Sequence, residues 1–147
     1  MRNTPGIAMA VIAFACVPAM GASMSKEDYR AGKKRIAEEY LAERQKCGGG
    51  YGHAYNLCVA HAHGARDVAK AELEAEYKPS PGHYYDAAIA RAKSAYTIAK
   101  KDCEDKRGEE RKACNSGAKV AYDRARTEAK TALAAARAEE AAKRAGR

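Results

Sequence analysis

The chain has 147 residues with a formal net charge of +8, and hydrophobic residues make up 46% of it, among them 35 alanines and 9 tyrosines. That length allows one small domain or two half-domains. The β-branched and aromatic runs that build the strands of an α/β enzyme are missing, whereas Ala with Lys, Arg and Glu favours helix because these side chains lose little rotamer freedom there.

The first predicted element is an N-terminal address. Arg2 gives a positive start, residues 7–17 form the apolar stretch IAMAVIAFACV, and residues 18–23 supply small side chains for cleavage. Ala19 and Gly21 fit the positions before a cut after Gly21, with Ser23 as the alternative. The stretch is too short to span a bilayer, so residues 1–21 read as a secretory signal peptide. A buried N-terminal helix is the competing reading. Cys16 is expected to leave with the signal, because Ala13-Phe14-Ala15 lacks the Leu usual in a lipoprotein signal. No later run is apolar enough for a membrane, so the mature chain is expected to be soluble and periplasmic or secreted. From Ala22 onward only ten residues are Leu, Ile or Val, about 8% of that segment. So few large aliphatics cannot fill a broad core.

Four helices follow. Ser25 with Asp28 three residues on resembles a capping box and opens a helix near 25–46. Gly48-Gly49-Gly50 stops it and Gly52 permits the turn into a second helix near 53–77. Pro79-Ser80-Pro81-Gly82 separates the halves, with Ser80 as cap and Pro81 as first helical residue of a third helix near 82–104. Gly108 marks the next turn, into a fourth helix near 109–143, whose start Asn115-Ser116-Gly117 weakens. Residues 134–147 form a basic Ala-rich tail without a large apolar anchor, and this tail is expected to fray.

The two halves are copies. Cys47 and Cys58, and again Cys103 and Cys114, are each C-x10-C, and the pairs are offset by 56. Applied without gaps from Tyr29 to Tyr77, that offset gives twelve identities in 49 positions, including Tyr40/Tyr96, Gly52/Gly108 and Asp67/Asp123. Such self-similarity is the mark of a duplication. In each copy a Tyr/Ile seam (Tyr29, Ile36, Tyr40; Tyr85, Ile89, Tyr96) is followed by a small-residue seam (Ala62, Ala65, Ala69; Ala118, Ala121, Ala125). Two facing seams predict an antiparallel hairpin. The fold expected is all-α: two tandem antiparallel helical hairpins, over residues 24–78 and 82–133. Four cysteines allow three pairings. Cys47–Cys58 and Cys103–Cys114 are preferred, because both residues of each pair sit on facing seams beside the loop. Zinc or redox thiols are the alternative, but the spacing lacks the C-x-x-C pairs those sites use.

His53, His61 and His63 are candidate ligands for copper, nickel or zinc. Residues two apart on a helix point about 200° from each other, so His61 and His63 need local unwinding to share an ion. The second copy has Glu109, Gly117 and Lys119 at the matching places, so a metal site is not part of the repeated design. Charge is also unequal: residues 24–80 carry ten basic and nine acidic groups, residues 81–147 sixteen and ten. On the fourth helix Lys112, Lys119, Arg126, Lys130, Arg137 and Arg144 lie within about 20° of one line. Such a stripe suits an anionic surface, lipopolysaccharide, nucleic acid or an acidic envelope protein. Its plainer reading is a solvated face. No RNP or helix-turn-helix pattern points to specific nucleic-acid recognition.

The stretch KAELEAEYKPSP over residues 70–81, with the arrangement of Cys47, Gly52, Ala54 and Cys58, resembles a group of small exported proteobacterial proteins. Their Ala/Lys/Glu-rich helical bodies carry paired cysteines around short Gly-containing turns, and they are TolA-like by composition only. The resemblance implies a helical fold and an envelope location, and it transfers no catalytic residue. The chain departs from the group at Gly48-Gly49-Gly50-Tyr51 and in its histidine-rich turn. There is no nucleophile motif, no H-E-x-x-H and no phosphate-binding Gly loop. Neither an enzyme nor a cofactor is expected. The expected role is that of an exported structural or interaction protein of the cell envelope; the alternative is a polyanion- or metal-binding protein.

Overall fold

The structure, a computed structural model, describes residues 24–147. The expected signal peptide, its cleavage site and Cys16 lie outside the described residues. The chain forms α1 (Lys26–Lys46), α2 (His53–Tyr77), α3 (Pro81–Asp102), a short 3-10 turn (Cys103–Asp105) and α4 (Gly108–Ala145). Among the described residues there is no strand, and no helix is long and apolar enough to cross a membrane.

Local chemistry sets these limits. The Ser25 hydroxyl oxygen accepts from the Asp28 backbone N–H at 3.0 Å and donates to the Asp28 carboxylate at 2.8 Å. Ser80 accepts from the His83 N–H at 3.1 Å, with Pro81 beginning α3. Both caps occupy donors that have no partner inside the helix. Gly52 and Gly108, equivalent in the two copies, have φ of 100° and 52°. A side chain there would be strained, which is why glycine holds both turns.

The fold is all-α, with two tandem antiparallel hairpins, each closed by its C-x10-C disulfide. Cys47 and Cys58 are bonded, as are Cys103 and Cys114, with Cα atoms 5.6 and 5.8 Å apart. Each bridge joins the end of one helix to the start of the next. Since the four helices alternate in direction, both bridges lie at one end of the molecule, and the Pro79-Ser80-Pro81 link lies at the other.

The hairpins are not separate bodies. Each helix packs on its neighbour in the chain, and the most extensive contact is α2 on α3, between the copies. α2 therefore buries two opposite flanks. Leu73 meets α1, where a Cβ on Gly32 would come within 2.8 Å of it. Gly64 meets α3, where a Cβ would collide with the Ser94 Oγ. Ala60, Ala62 and Ala75 are buried with them. The single small-residue seam expected on α2 is thus split in two, and its Ala65 is exposed, as is Ala121 on α4. The core is narrow, holding Ile36, Leu73, Cys103 and alanines. Close backbone approach over small residues replaces large side chains.

The tail is part of α4. α4 continues through residue 133 to Ala145 without a break. Ala, Glu, Lys and Arg carry high intrinsic helix propensity, and Lys143 pairs with Glu139 at 2.6 Å one turn away. Leu133 and Ala136 also face Tyr84, Tyr85 and Pro81 across a shared groove, so the link between the copies gives the tail a neighbour.

Candidate anion-binding face

α3 stands between α2 and α4 and presents Lys93, Tyr96, Thr97 and Lys100 at spacings of three and four, hence on one face. Two grooves open there. One, of about 530 Å³ between α2 and α3, is lined by residues that include Val59, His63, Lys93, Thr97 and Lys101. The other, of about 570 Å³ between α3 and α4, is lined by Tyr96, Lys100, Glu104, Arg111, Asn115, Ser116 and Lys119.

The second groove is built from the duplicated framework. Tyr96 stacks on Tyr122 with ring centres 4.9 Å apart, the Lys100 ammonium lies 5.7 Å from the Tyr96 ring, and the Arg126 guanidinium lies 5.3 Å from the Tyr122 ring. In the first copy Tyr40 takes the place of Tyr96. The Arg66 guanidinium lies 4.6 Å from the Tyr40 ring, and His63 Nε2 lies 3.3 Å from its hydroxyl. The rings attract the cations through their negative faces while leaving the heads on the surface. The copies differ in what stays free. Arg44, equivalent to Lys100, donates to the Tyr55 hydroxyl at 3.4 Å. Its other terminal nitrogen, Nη1, is buried without a partner. In the second copy Lys100 and Arg111 are in no ion pair among the described residues.

Two carboxylates border this groove, and both have partners. Lys101 donates to Glu104 at 2.7 Å and holds its pKa below the ordinary value, with Arg111 and His53 acting the same way more weakly. The hydrogen bond between Lys119 and Asp123 lowers the pKa of the acid and raises that of the amine. Counting Lys100, Lys101, Arg111 and Lys119 against Glu104 and Asp123 leaves a net charge of +2.

The expected stripe on α4 exists as a line along one continuous helix, with its members differently engaged. Lys112 pairs with Glu109 and Lys119 with Asp123. Arg126 lies over Tyr122, and Lys130, Arg137 and Arg144 are exposed and in no ion pair among the described residues. Only Lys119 of the stripe lines the α3–α4 groove.

The structure does not gather the three histidines. His61 is exposed, His63 packs on Tyr40 with ring centres 5.1 Å apart, and His53 lies near Glu104 with its Nδ1 buried and unpartnered. Among the described residues no three His, Cys, Asp or Glu side chains are placed to hold a metal ion. The reason is the one visible in the spacing: α2 stays regular through His61 and His63, so they diverge.

Lys100 and Arg111 are absent from the sequence-based candidates, because each belongs to a different helix from part of its groove. The offset of 56 carries a signal for the first: positions 44/100 are basic in both copies, and positions 63/119 hold His63 and Lys119. No protein-family model, curated protein or solved structure matches the chain.

Proposed function

We propose that the protein is an exported interaction module of the cell envelope that meets anionic surfaces through the face carrying the α4 stripe and the α3–α4 groove. The observation that carries this reading is the set of cations there that are in no ion pair among the described residues: Lys100, Arg111, Lys130, Arg137 and Arg144. Glu104 stands one turn from Lys100, and Glu140 one turn from Arg137 and Arg144, yet none of these is an ion pair among the described residues, whereas Lys34 pairs with Glu38 on α1. The two disulfides favour an oxidising compartment, where such bridges persist. They make a rigid platform from a chain whose core is too thin for long side chains to lock. The sequence of residues 1–21 supports export on its own.

The test is retention on heparin and on vesicles containing anionic lipid as salt is raised. Binding at low salt that weakens steeply towards physiological ionic strength is expected. Charge reversal at Arg137 and Arg144 together should shift elution to lower salt. Retention that ignores both salt and these substitutions defeats the reading. Export is tested by fractionating cells that make the full chain: the processed form should be periplasmic or secreted, with all four of its cysteines unreactive to alkylation.

A further inference from the structure

The stripe and the groove offer different chemistry. Along the stripe, neighbouring members such as Arg137 and Arg144 stand seven residues, or about 10 Å, apart on the helix axis. With no second helix to place a cation between them, that spacing suits separate charges on an extended surface. In the groove, cations converge from two helices. Lys100 comes from α3, Arg111 and Lys119 come from α4, and Ser116 lines the groove with them. The Asn115 amide is partly used, since it donates to the Arg111 carbonyl at 2.9 Å. Glu104, which lines the groove, and Asp123 beside it are the opposing charges, and each is paired with a lysine, Lys101 and Lys119 respectively.

We propose that the α3–α4 groove binds a single phosphoryl group, with Arg111 and Lys100 as its principal ligands and Ser116 and Lys119 at its margin. A guanidinium presents a planar fork of donors that fits two oxygens of a phosphoryl group. The ammonium groups add charge without demanding a fixed angle. Tyr96 lines the groove, stacked on Tyr122, with the Lys100 ammonium over its ring. The first copy lacks such a site. Arg44 is taken up by Tyr55, and Gly48, Tyr55 and Ala60 stand where the second copy has Glu104, Arg111 and Ser116. The two hairpins thus differ: the first holds a Tyr–Arg packing cluster where the second has a cationic groove.

The proposal rests on the anionic-surface reading, and its experiment separates the two. Two ligands are used with the full mature chain: inorganic phosphate, followed by NMR shifts of α3 and α4 amides, and vesicles with phosphatidic acid set against vesicles of phosphatidylcholine alone. Saturable shifts with inorganic phosphate, centred on Arg111 and Lys100, assign a free-phosphate site. Shifts there only with phosphatidic acid assign a lipid headgroup site, and either outcome supports the groove. Arg111→Gln and Lys100→Gln should each weaken binding about tenfold, the loss of one charge-assisted hydrogen bond. Arg137→Gln should leave binding of inorganic phosphate unchanged. Circular dichroism and non-reducing mass mapping confirm that each variant is folded and bridged. If vesicle binding falls in the stripe variants but not with Arg111→Gln or Lys100→Gln, the groove is overturned and the surface reading stands. If neither ligand is bound, both fail.

Discussion

Tyr29 and Glu74 show how single residues add to a core this thin. The Tyr29 hydroxyl donates to the Glu74 carboxylate, and the Tyr29 ring stacks on Tyr77 with centres 4.2 Å apart. The bond lowers the Glu74 pKa below its ordinary 4.5 and raises that of Tyr29 above its ordinary 10.0. A lowered acid contributes stability that is present above its unfolded value and lost as pH falls through the folded one. A raised phenol contributes stability that is present below its unfolded value and lost as pH rises through the folded one. Both ends describe the same bond. Tyr29→Phe, which keeps the ring stack, should therefore be less stable than the parent by a margin that is widest between these limits. The margin should close in acid below the ordinary carboxylate range. Denaturant midpoints at pH 7 and pH 3 check this; a margin that is the same at both excludes the bond as its source.

At the scale of the helix, two glycines with the same local conformation predict opposite outcomes. Gly117 lies inside α4, and nothing stands within 4 Å of the place a Cβ would take. Gly117→Ala therefore adds helix propensity alone and should stabilise by up to about 1 kcal/mol. Gly64 lies inside α2 against α3, where Ser94 Cβ would be 3.2 Å and Ile98 Cδ1 3.5 Å from an added Cβ. Gly64→Leu should push the copies apart and destabilise by about 1 to 3 kcal/mol, the usual range for overpacking. Thermal melts of the two variants decide it. The contrast also explains what was legible in the sequence. Helix limits were, because Ser25, Ser80 and Pro81 act on their immediate neighbours. The disulfides were, because the offset of 56 carries both Cys spacings. The second flank of α2 was not, since Ala60 on the buried side and Ala65 on the exposed side are the same residue with different surroundings. The groove was not, because Lys100 and Arg111 lie on separate helices and only packing brings them to one wall.

For the molecule as a whole, the question is whether two duplicated hairpins behave as one. The α2–α3 contact is the most extensive of the fold, so they should unfold together. Each bridge closes a short loop and contributes roughly 3 kcal/mol in the chain-entropy model. Replacing Cys103 and Cys114 by Ser should lower the temperature of the single calorimetric transition. A first hairpin that keeps melting at the parental temperature while the second melts earlier would show the copies to be independent. Leu133 and Ala136 share a groove with the link, so the tail is expected to melt in the same transition.

The placement of both bridges at one end gives the row a mechanical direction. The entry to α1 and the exit of α4 lie at the opposite end, beside the Pro79-Ser80-Pro81 link. A pull on these two points loads the α1–α2 and α3–α4 seams first, and each tear runs towards the bridge of its own hairpin. Each bridge halts the tear within its own hairpin, whereas at that end α2 and α3 are held to each other by packing alone.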